Sequence, residues 1–248
     1  MEGYVDNNLF TEYNPIIKDK TIVINFYGCN FNCPFCYAQQ FHEFKSESII
    51  EIREIKQELR RIYFNAKYVL FTGGEPTLQR IVLNNLARFS KSLELETFIH
   101  TNGSKPNVIK DLIENNLIDG VILDIKSPFE SKIFEEITKS SNFFVSSNKI
   151  MDEVKKSIDV LRDNRDKVKI FVTTPILPGM NFDEETLDQI YEIIKYLRVP
   201  WILMRFKKKS DFGEVKDKVL LSYEKPNNEE LKEIILKINK ANIPFKII

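Results

Sequence analysis

The chain has 248 residues, enough to bury a sizeable core without help from disulfides or metals. Its 36 Lys and Arg residues balance 36 Asp and Glu residues, which argues against a nucleic-acid binder held mainly by net charge. No apolar run is long enough to span a bilayer, and Met1-Glu2-Gly3-Tyr4 lacks the basic and apolar regions of a signal peptide, so a cytoplasmic protein is expected.

Short apolar runs rich in Val, Ile and Phe alternate with helical periodicity along the chain. The first candidate strand, Ile22–Tyr27, runs into Gly28 and a cysteine-bearing loop. Ile52, Ile55, Leu59 and Ile62 then share one helix face. Tyr68–Thr72 is followed by Gly73-Gly74-Glu75-Pro76-Thr77, and Thr97–Thr101 by Asn102-Gly103-Ser104. Val121–Ile125 carries Asp124 and leads to Lys126. The stretch from Phe129 to Asn148 is the least regular. Val168–Thr173 precedes Thr174 and Pro175, and a helix with Leu187, Ile190, Ile194 and Leu197 on one face is expected to open at Asn181, before Glu184. Trp201–Met204 leads to Arg205, and Lys207, Lys208 and Lys209 read as a solvated basic loop. A last helix bears Leu231, Ile234, Ile235 and Ile238, with Pro226-Asn227 before Glu229 as its start, and Pro244–Ile248 reads as an edge strand.

Continuous apolar strands separated by helices predict right-handed crossovers and a parallel sheet, hence an α/β class with a partial (β/α)6 barrel. No linker or repeat interrupts the chain. One domain over 1–248 is expected, with a core over about 20–206 and a short C-terminal helix and strand extension over about 207–248. Sites in such folds lie at the carboxyl ends of the strands, where the glycine-rich and polar residues of this chain gather.

All three cysteines lie in Gly28-Cys29-Asn30-Phe31-Asn32-Cys33-Pro34-Phe35-Cys36-Tyr37, spaced C-x3-C-x2-C. An extracellular disulfide framework would spread an even number along the chain. A cubane cluster normally takes four thiolates, so three leave one iron open to a chelating substrate. Two other readings stand beside this one. Cys29, Cys33, Cys36 and His42 could form a Cys3His zinc site, although structural zinc usually ties together a domain without its own core. The thiols could also simply pack as small hydrophobes, which a polar, Asn-rich loop fits poorly.

The cysteine segment resembles the signature of the radical SAM superfamily, C-x3-C-x-φ-C with φ aromatic, and Phe35 fills the aromatic position. The resemblance implies a [4Fe–4S] cluster on Cys29, Cys33 and Cys36, with S-adenosylmethionine (SAM) chelating the open iron. It also implies an adenine near Phe35, with the adjoining Tyr37 as a further candidate for binding the cofactor. Gly73-Gly74-Glu75-Pro76 resembles the family's GGE motif, whose glycines and Glu contact the SAM amino group. By itself the segment is also an ordinary strand-to-helix turn. Thr101-Asn102-Gly103 resembles a further family element, with Asn102 near the ribose. Asn-Gly is equally a turn signal. Asp124 and Lys126 are two apart on a strand and project together, to hold a zwitterion or to pair with one another. Leu123-Asp124-Ile125-Lys126 resembles the D-x-K element of glycyl-radical-enzyme activases, where the lysine helps hold the SAM carboxylate.

Within the superfamily the chain is most similar to those activases, in particular to the activating protein of anaerobic ribonucleoside-triphosphate reductase. Three cysteines leave no thiolates for an auxiliary cluster, which suits a single-cluster activase. Such an enzyme would cleave SAM reductively and abstract hydrogen from a glycine of a glycyl radical enzyme partner. It would draw electrons from a flavodoxin or a ferredoxin-type donor. His100 departs from the Asp common at that position in the activases, and a buried, hydrogen-bonded histidine is expected there. The alternatives are a small-molecule enzyme similar to 7-carboxy-7-deazaguanine synthase, and a non-catalytic iron–sulfur or zinc protein.

Overall fold

The computed structural model describes all residues except 211, 212, 216, 225 and 226. Eight strands form one sheet: β1 (Phe10–Asn14), β2 (Asp19–Phe26), β3 (Tyr68–Gly73), β4 (Glu96–Thr101), β5 (Gly120–Asp124), β6 (Lys169–Ile176), β7 (Trp201–Arg205) and β8 (Phe245–Ile247). Their spatial order follows the chain from β1 at one edge to β8 at the other. Every pairing is parallel except that of β1 with β2. All six expected strands are present, and the last apolar run pairs with β7 at the far edge.

The expectation of six strands missed β1. Its residues Phe-Thr-Glu-Tyr-Asn are largely exposed, so the segment carries no buried apolar run to read. A turn makes it a strand: the Asn14 side chain accepts the N–H groups of Ile16 and Ile17 at 2.9 and 3.0 Å, folding the chain back onto β2.

Helices α1 (Ile52–Ile62), α2 (Arg80–Ser92), α3 (Pro106–Glu114), α4 (Ser131–Thr138), α5 (Ser147–Asp163) and α6 (Glu184–Ile194) lie between the parallel strands. The short α7 (Lys218–Ser222) and α8 (Asn228–Ile238) precede β8. The stretch with weak sequence signals thus contains α4 and the start of α5. Strand alternation divides the core into two layers. Phe71, Ile99, Leu123 and Leu203 belong to the large cluster that includes Leu83, Leu112 and Leu187 of the helices. Leu70, Phe98, Ile122 and Ile202 point the other way and form a smaller apolar layer inside the curl of the sheet. One step further along each strand on this inner face, the register brings Asn25 beside Thr72 and Asp124 beside Thr173, with His100 on the strand between those pairs. The inner face therefore turns from apolar to polar as it approaches its carboxyl-end rim.

Two helix starts need correction. Asp183 caps α6 by accepting the Thr186 N–H at 2.8 Å, while Asn181 is fully buried in the preceding loop. Asn227 caps α8 through the Glu229 N–H, as its position suggested, and Pro226 lies outside the described residues. The basic run is also less free than a solvated loop: Lys208 Nζ donates to the Leu221 carbonyl at 2.6 Å.

Candidate radical site at the carboxyl-end rim

The cysteine loop leaves β2 through Gly28, held at φ +91°, with the Phe44 ring over the place where a Cβ would project. Its backbone is strapped on both sides. Gly28 and Cys29 donate their N–H groups to the carbonyls of Phe41 and His42 at 2.8 and 2.9 Å, and Gly28 accepts the Glu75 N–H at 2.7 Å. Gly74 must lack a side chain, because its Cβ would lie 2.2 Å from the Gly28 carbonyl oxygen. The paired glycines of the segment after β3 thus let two loops touch backbone to backbone. Phe35 is buried and Tyr37 half-buried in the cysteine segment, and burial, followed by the Asp124 charge, pushes the Tyr37 hydroxyl up to about 12.

All three cysteines are free thiols, with Cys33 buried and Cys29 and Cys36 half-buried. Phe31 N–H donates to Cys29 Sγ at 3.4 Å, and Cys33 Sγ donates to the Thr138 carbonyl at 3.7 Å. Burial pushes the Cys29 thiol up to about 12, helped by the Glu75 charge, and pushes Cys33 further the same way. Lys126 is the cation that opposes this shift at all three sulfurs. A thiolate set here therefore calls for bound positive charge, which suits iron or another thiophilic metal. Among the described residues no three His, Cys, Asp or Glu side chains close on a single ion. His42 meets the loop through its carbonyl, which accepts the Cys29 N–H.

The Glu75 carboxylate is buried and accepts hydrogen bonds from the protein around it. Oε1 accepts Thr77 N–H at 3.1 Å, the Thr77 hydroxyl and the Thr101 hydroxyl at 2.7 Å, while Oε2 accepts Asn102 N–H at 2.7 Å. Burial still holds its pKa above the ordinary value, against these four donors. Glu75 is thus the joint between the loops after β3 and β4, with Pro76 buried beside it at the start of a short 3-10 turn.

Asn102 Nδ2 donates to Asn30 Oδ1 at 3.0 Å, and Asn30 Nδ2 donates to the Ser104 hydroxyl at 2.9 Å. Asn30 lies between the first two cysteines, so an amide and hydroxyl network ties the cysteine loop to β4. Sequence reading passed over Asn30 as a spacer. Nothing local separates it from Asn32, which does its own work through a backbone N–H to Thr138 at 2.9 Å.

Asp124 closes β5 and pairs with Lys126, with only 17% and 13% of their side chains exposed. Asp124 Oδ2 takes the Lys126 ammonium, while Oδ1 takes His100 Nε2 at 2.9 Å and the Thr173 hydroxyl. Burial raises the Asp124 pKa, but Lys126 and then His100 outweigh it and hold the carboxyl well below the usual range. Burial likewise pulls Lys126 down, and Asp124, followed by Cys33, drives it above its ordinary value. Asn181, misread as a helix start, clasps this corner. Its Nδ2 donates to the carbonyls of Lys126 and Pro175 at 3.0 and 2.8 Å, and its Oδ1 accepts Leu177 N–H at 2.7 Å. Ser127 Oγ is buried with no partner among the described residues and lines a small cavity with Asn102, Asp124 and Lys126. An unpaired hydroxyl beside an ammonium group suits an anionic ligand group.

A curled, mostly parallel sheet with three free thiols and a buried lysine at its carboxyl-end rim defines an α/β protein of partial-barrel type, with its sulfur donors where such folds place their sites. The chain belongs to the radical SAM superfamily, whose family model matches residues 23–200. Family membership implies a [4Fe–4S] cluster and SAM as cofactors. The chain is similar to a Methanocaldococcus jannaschii protein provisionally named a glycyl-radical enzyme activating enzyme, at 31% identity over 88% of this chain and 84% of the relative. It is also similar to the 7-carboxy-7-deazaguanine synthase of Hyperthermus butylicus, at 32% identity over 39% of this chain and 40% of that protein. Among solved structures, a radical SAM methyltransferase from Sphaerobacter thermophilus shares the fold with a TM-score of 0.68 at 12% identity, over 96% of this chain and 68% of that one. Streptococcus suis SuiB, bound to its precursor peptide SuiA, shares it with a TM-score of 0.62 at 18% identity. This chain spans 90% of its own length in that match and about half, 47%, of SuiB.

Proposed function

We infer that this radical SAM enzyme activates a glycyl radical enzyme, generating a glycine-centred radical on a partner protein such as an anaerobic ribonucleotide reductase. The observation that carries the reading is the gathering of three free thiols, the Lys126 ammonium and the Asn102 amide at one rim. It is supported by near-full-length similarity to a relative named for that activity.

When bound, the cluster and SAM together supply reductive carbon–sulfur cleavage, whose products are methionine and a 5′-deoxyadenosyl radical. The protein's share is positioning and exclusion of water. Cys29, Cys33 and Cys36 would hold the cluster through their three thiolates. Lys126, fixed by Asp124, receives the SAM carboxylate together with Ser127. Gly73, Gly74 and Glu75 would face the SAM ammonium, with Glu75 Oε2 held by the single N–H of Asn102. Asn102 faces the ribose, and Phe35 and Tyr37 border the adenine. The electron donor is a flavodoxin or a ferredoxin-type protein, and the enzyme works in the cytoplasm.

Anaerobic reconstitution with iron, sulfide, SAM and a reductant is expected to yield 5′-deoxyadenosine, and Cys33→Ala to yield none. Coexpression with a glycyl radical protein is expected to give the doublet signal of a glycine-centred radical on that partner. Turnover of a 7-deazapurine precursor without that signal would instead favour the small-molecule reading, which the partial similarity to the deazaguanine synthase supports. Absence of 5′-deoxyadenosine would defeat both readings.

A further inference from the structure

His100, Asp124 and Thr173 stand on three neighbouring strands of the inner face, and their side chains meet at one carboxylate oxygen. Asp124 Oδ1 receives His100 Nε2 at 2.9 Å and the Thr173 hydroxyl, while Oδ2 alone faces Lys126. The imidazole is itself half-buried, with 21% of its side chain exposed. A carboxylate only accepts hydrogen bonds when ionised, so the ring must present an N–H at Nε2. With Oδ1 filled by two donors, the carboxylate plane is fixed and only one oxygen is left for the ammonium. Lys126 has three N–H donors. Held at one carboxylate oxygen, it keeps the others for a ligand. If Oδ1 were empty, the same ammonium could lie across both oxygens and turn away from the ligand.

We propose that His100 is a positioning residue that, with Thr173, occupies one oxygen of Asp124 so that the Lys126 ammonium stays directed at the carboxylate of the bound amino-acid moiety. The proposal rests on the reading that Lys126 receives that carboxylate. His100 does not touch the ligand in this scheme. It acts through Asp124, across strands that are adjacent in the sheet but 24 residues apart in the chain.

The test is the dissociation constant of SAM for the reconstituted holoenzyme, measured by anaerobic equilibrium dialysis. The comparison ligand is decarboxylated SAM, which keeps the sulfonium, nucleoside and amine but lacks the carboxylate. His100→Leu, which removes the donor, is expected to weaken SAM about tenfold, the order of one charge-assisted hydrogen bond. The same variant should leave decarboxylated SAM unchanged. His100→Gln, which returns an N–H at similar reach, should stay within about threefold of the wild type for both ligands. Thr173→Val should weaken SAM selectively in the same direction and serves if His100→Leu does not fold. Wild-type affinity for SAM in both His100→Leu and Thr173→Val would overturn the proposal, as would equal losses for the two ligands, or His100→Gln behaving as His100→Leu. If the wild type binds the two ligands equally, the Lys126–carboxylate reading itself fails, and the proposal with it.

Discussion

The carboxylate of Glu75 accepts the backbone N–H of Asn102 at 2.7 Å, fastening the loop after β3 to the loop after β4. This contact makes Glu75 an organiser of the protein around it. The N–H of Glu75 also reaches the Gly28 carbonyl, so one residue joins three successive strand ends.

Glu75→Gln turns one acceptor oxygen into a donor among four groups that all donate. The fold is expected to lose about 1–3 kcal/mol, the cost of a buried donor facing a donor. Urea unfolding followed by circular dichroism measures this. Loss of order in the Asn102 loop should show as faster amide exchange at Asn102 and Gly103.

Gly74→Ala should weaken the cysteine loop without touching a cysteine. The new Cβ would lie 2.2 Å from the Gly28 carbonyl and 2.7 Å from the Phe41 carbonyl, and both are backbone atoms that cannot rotate away. Overpacking of this kind typically costs about 1–3 kcal/mol. The expected result is reduced iron and sulfide content after reconstitution, read by elemental analysis and by the cluster absorbance.

Asn181 and Asp183 separate a loop clasp from a helix cap. Asp183→Ala removes one capping bond and should cost about 1 kcal/mol. Asn181→Ala strips partners from Leu177 N–H and from the carbonyls of Lys126 and Pro175, so it should cost more, about 2–4 kcal/mol. Only Asn181→Ala should also weaken SAM binding, because only it releases the Lys126 backbone. Equal stability losses would contradict this assignment.

Asp124 carries a pH signature. Its folded pKa lies well below its unfolded value near 3.9, so its stabilising contribution is complete above about pH 5 and fades as pH falls toward the folded pKa. Lys126, raised above its ordinary value, contributes fully below about pH 9, and this is lost as pH rises through its folded pKa. The stability gap between the wild type and Asp124→Asn should therefore be wide at pH 7 and narrow on acidification below pH 4. Denaturant midpoints at a series of pH values test the slope.

Phe143 and Phe144 are 95% and 88% exposed on the loop between α4 and α5 and meet edge to face, with ring centroids 5.1 Å apart. Phe143→Ser and Phe144→Ser should each shift stability by no more than about 0.5 kcal/mol. A larger loss in either would show that the rings are packed in solution.

Much of this architecture was readable locally. Six parallel strands announce themselves because each is buried on both faces and so must be continuously apolar. The three thiols announce themselves because they lie within eight residues of one another in a polar loop. β1 stayed hidden because an exposed edge strand needs no apolar run, only a partner and a turn. Asn181 stayed hidden because an asparagine before a helix looks the same whether it caps the helix or clasps a distant carbonyl.

By itself the sequence determined the parallel α/β sheet and the clustering of three thiols in the loop after its first parallel strand. These follow from residue type and spacing along a short stretch of chain. Tertiary structure alone decided that Glu75 faces inward, that Asn30 links to Asn102, and that His100 and Thr173 share an oxygen of Asp124. Those contacts join residues from 24 to 72 positions apart, and they depend on strand register and side-chain rotamer, quantities that no local pattern encodes.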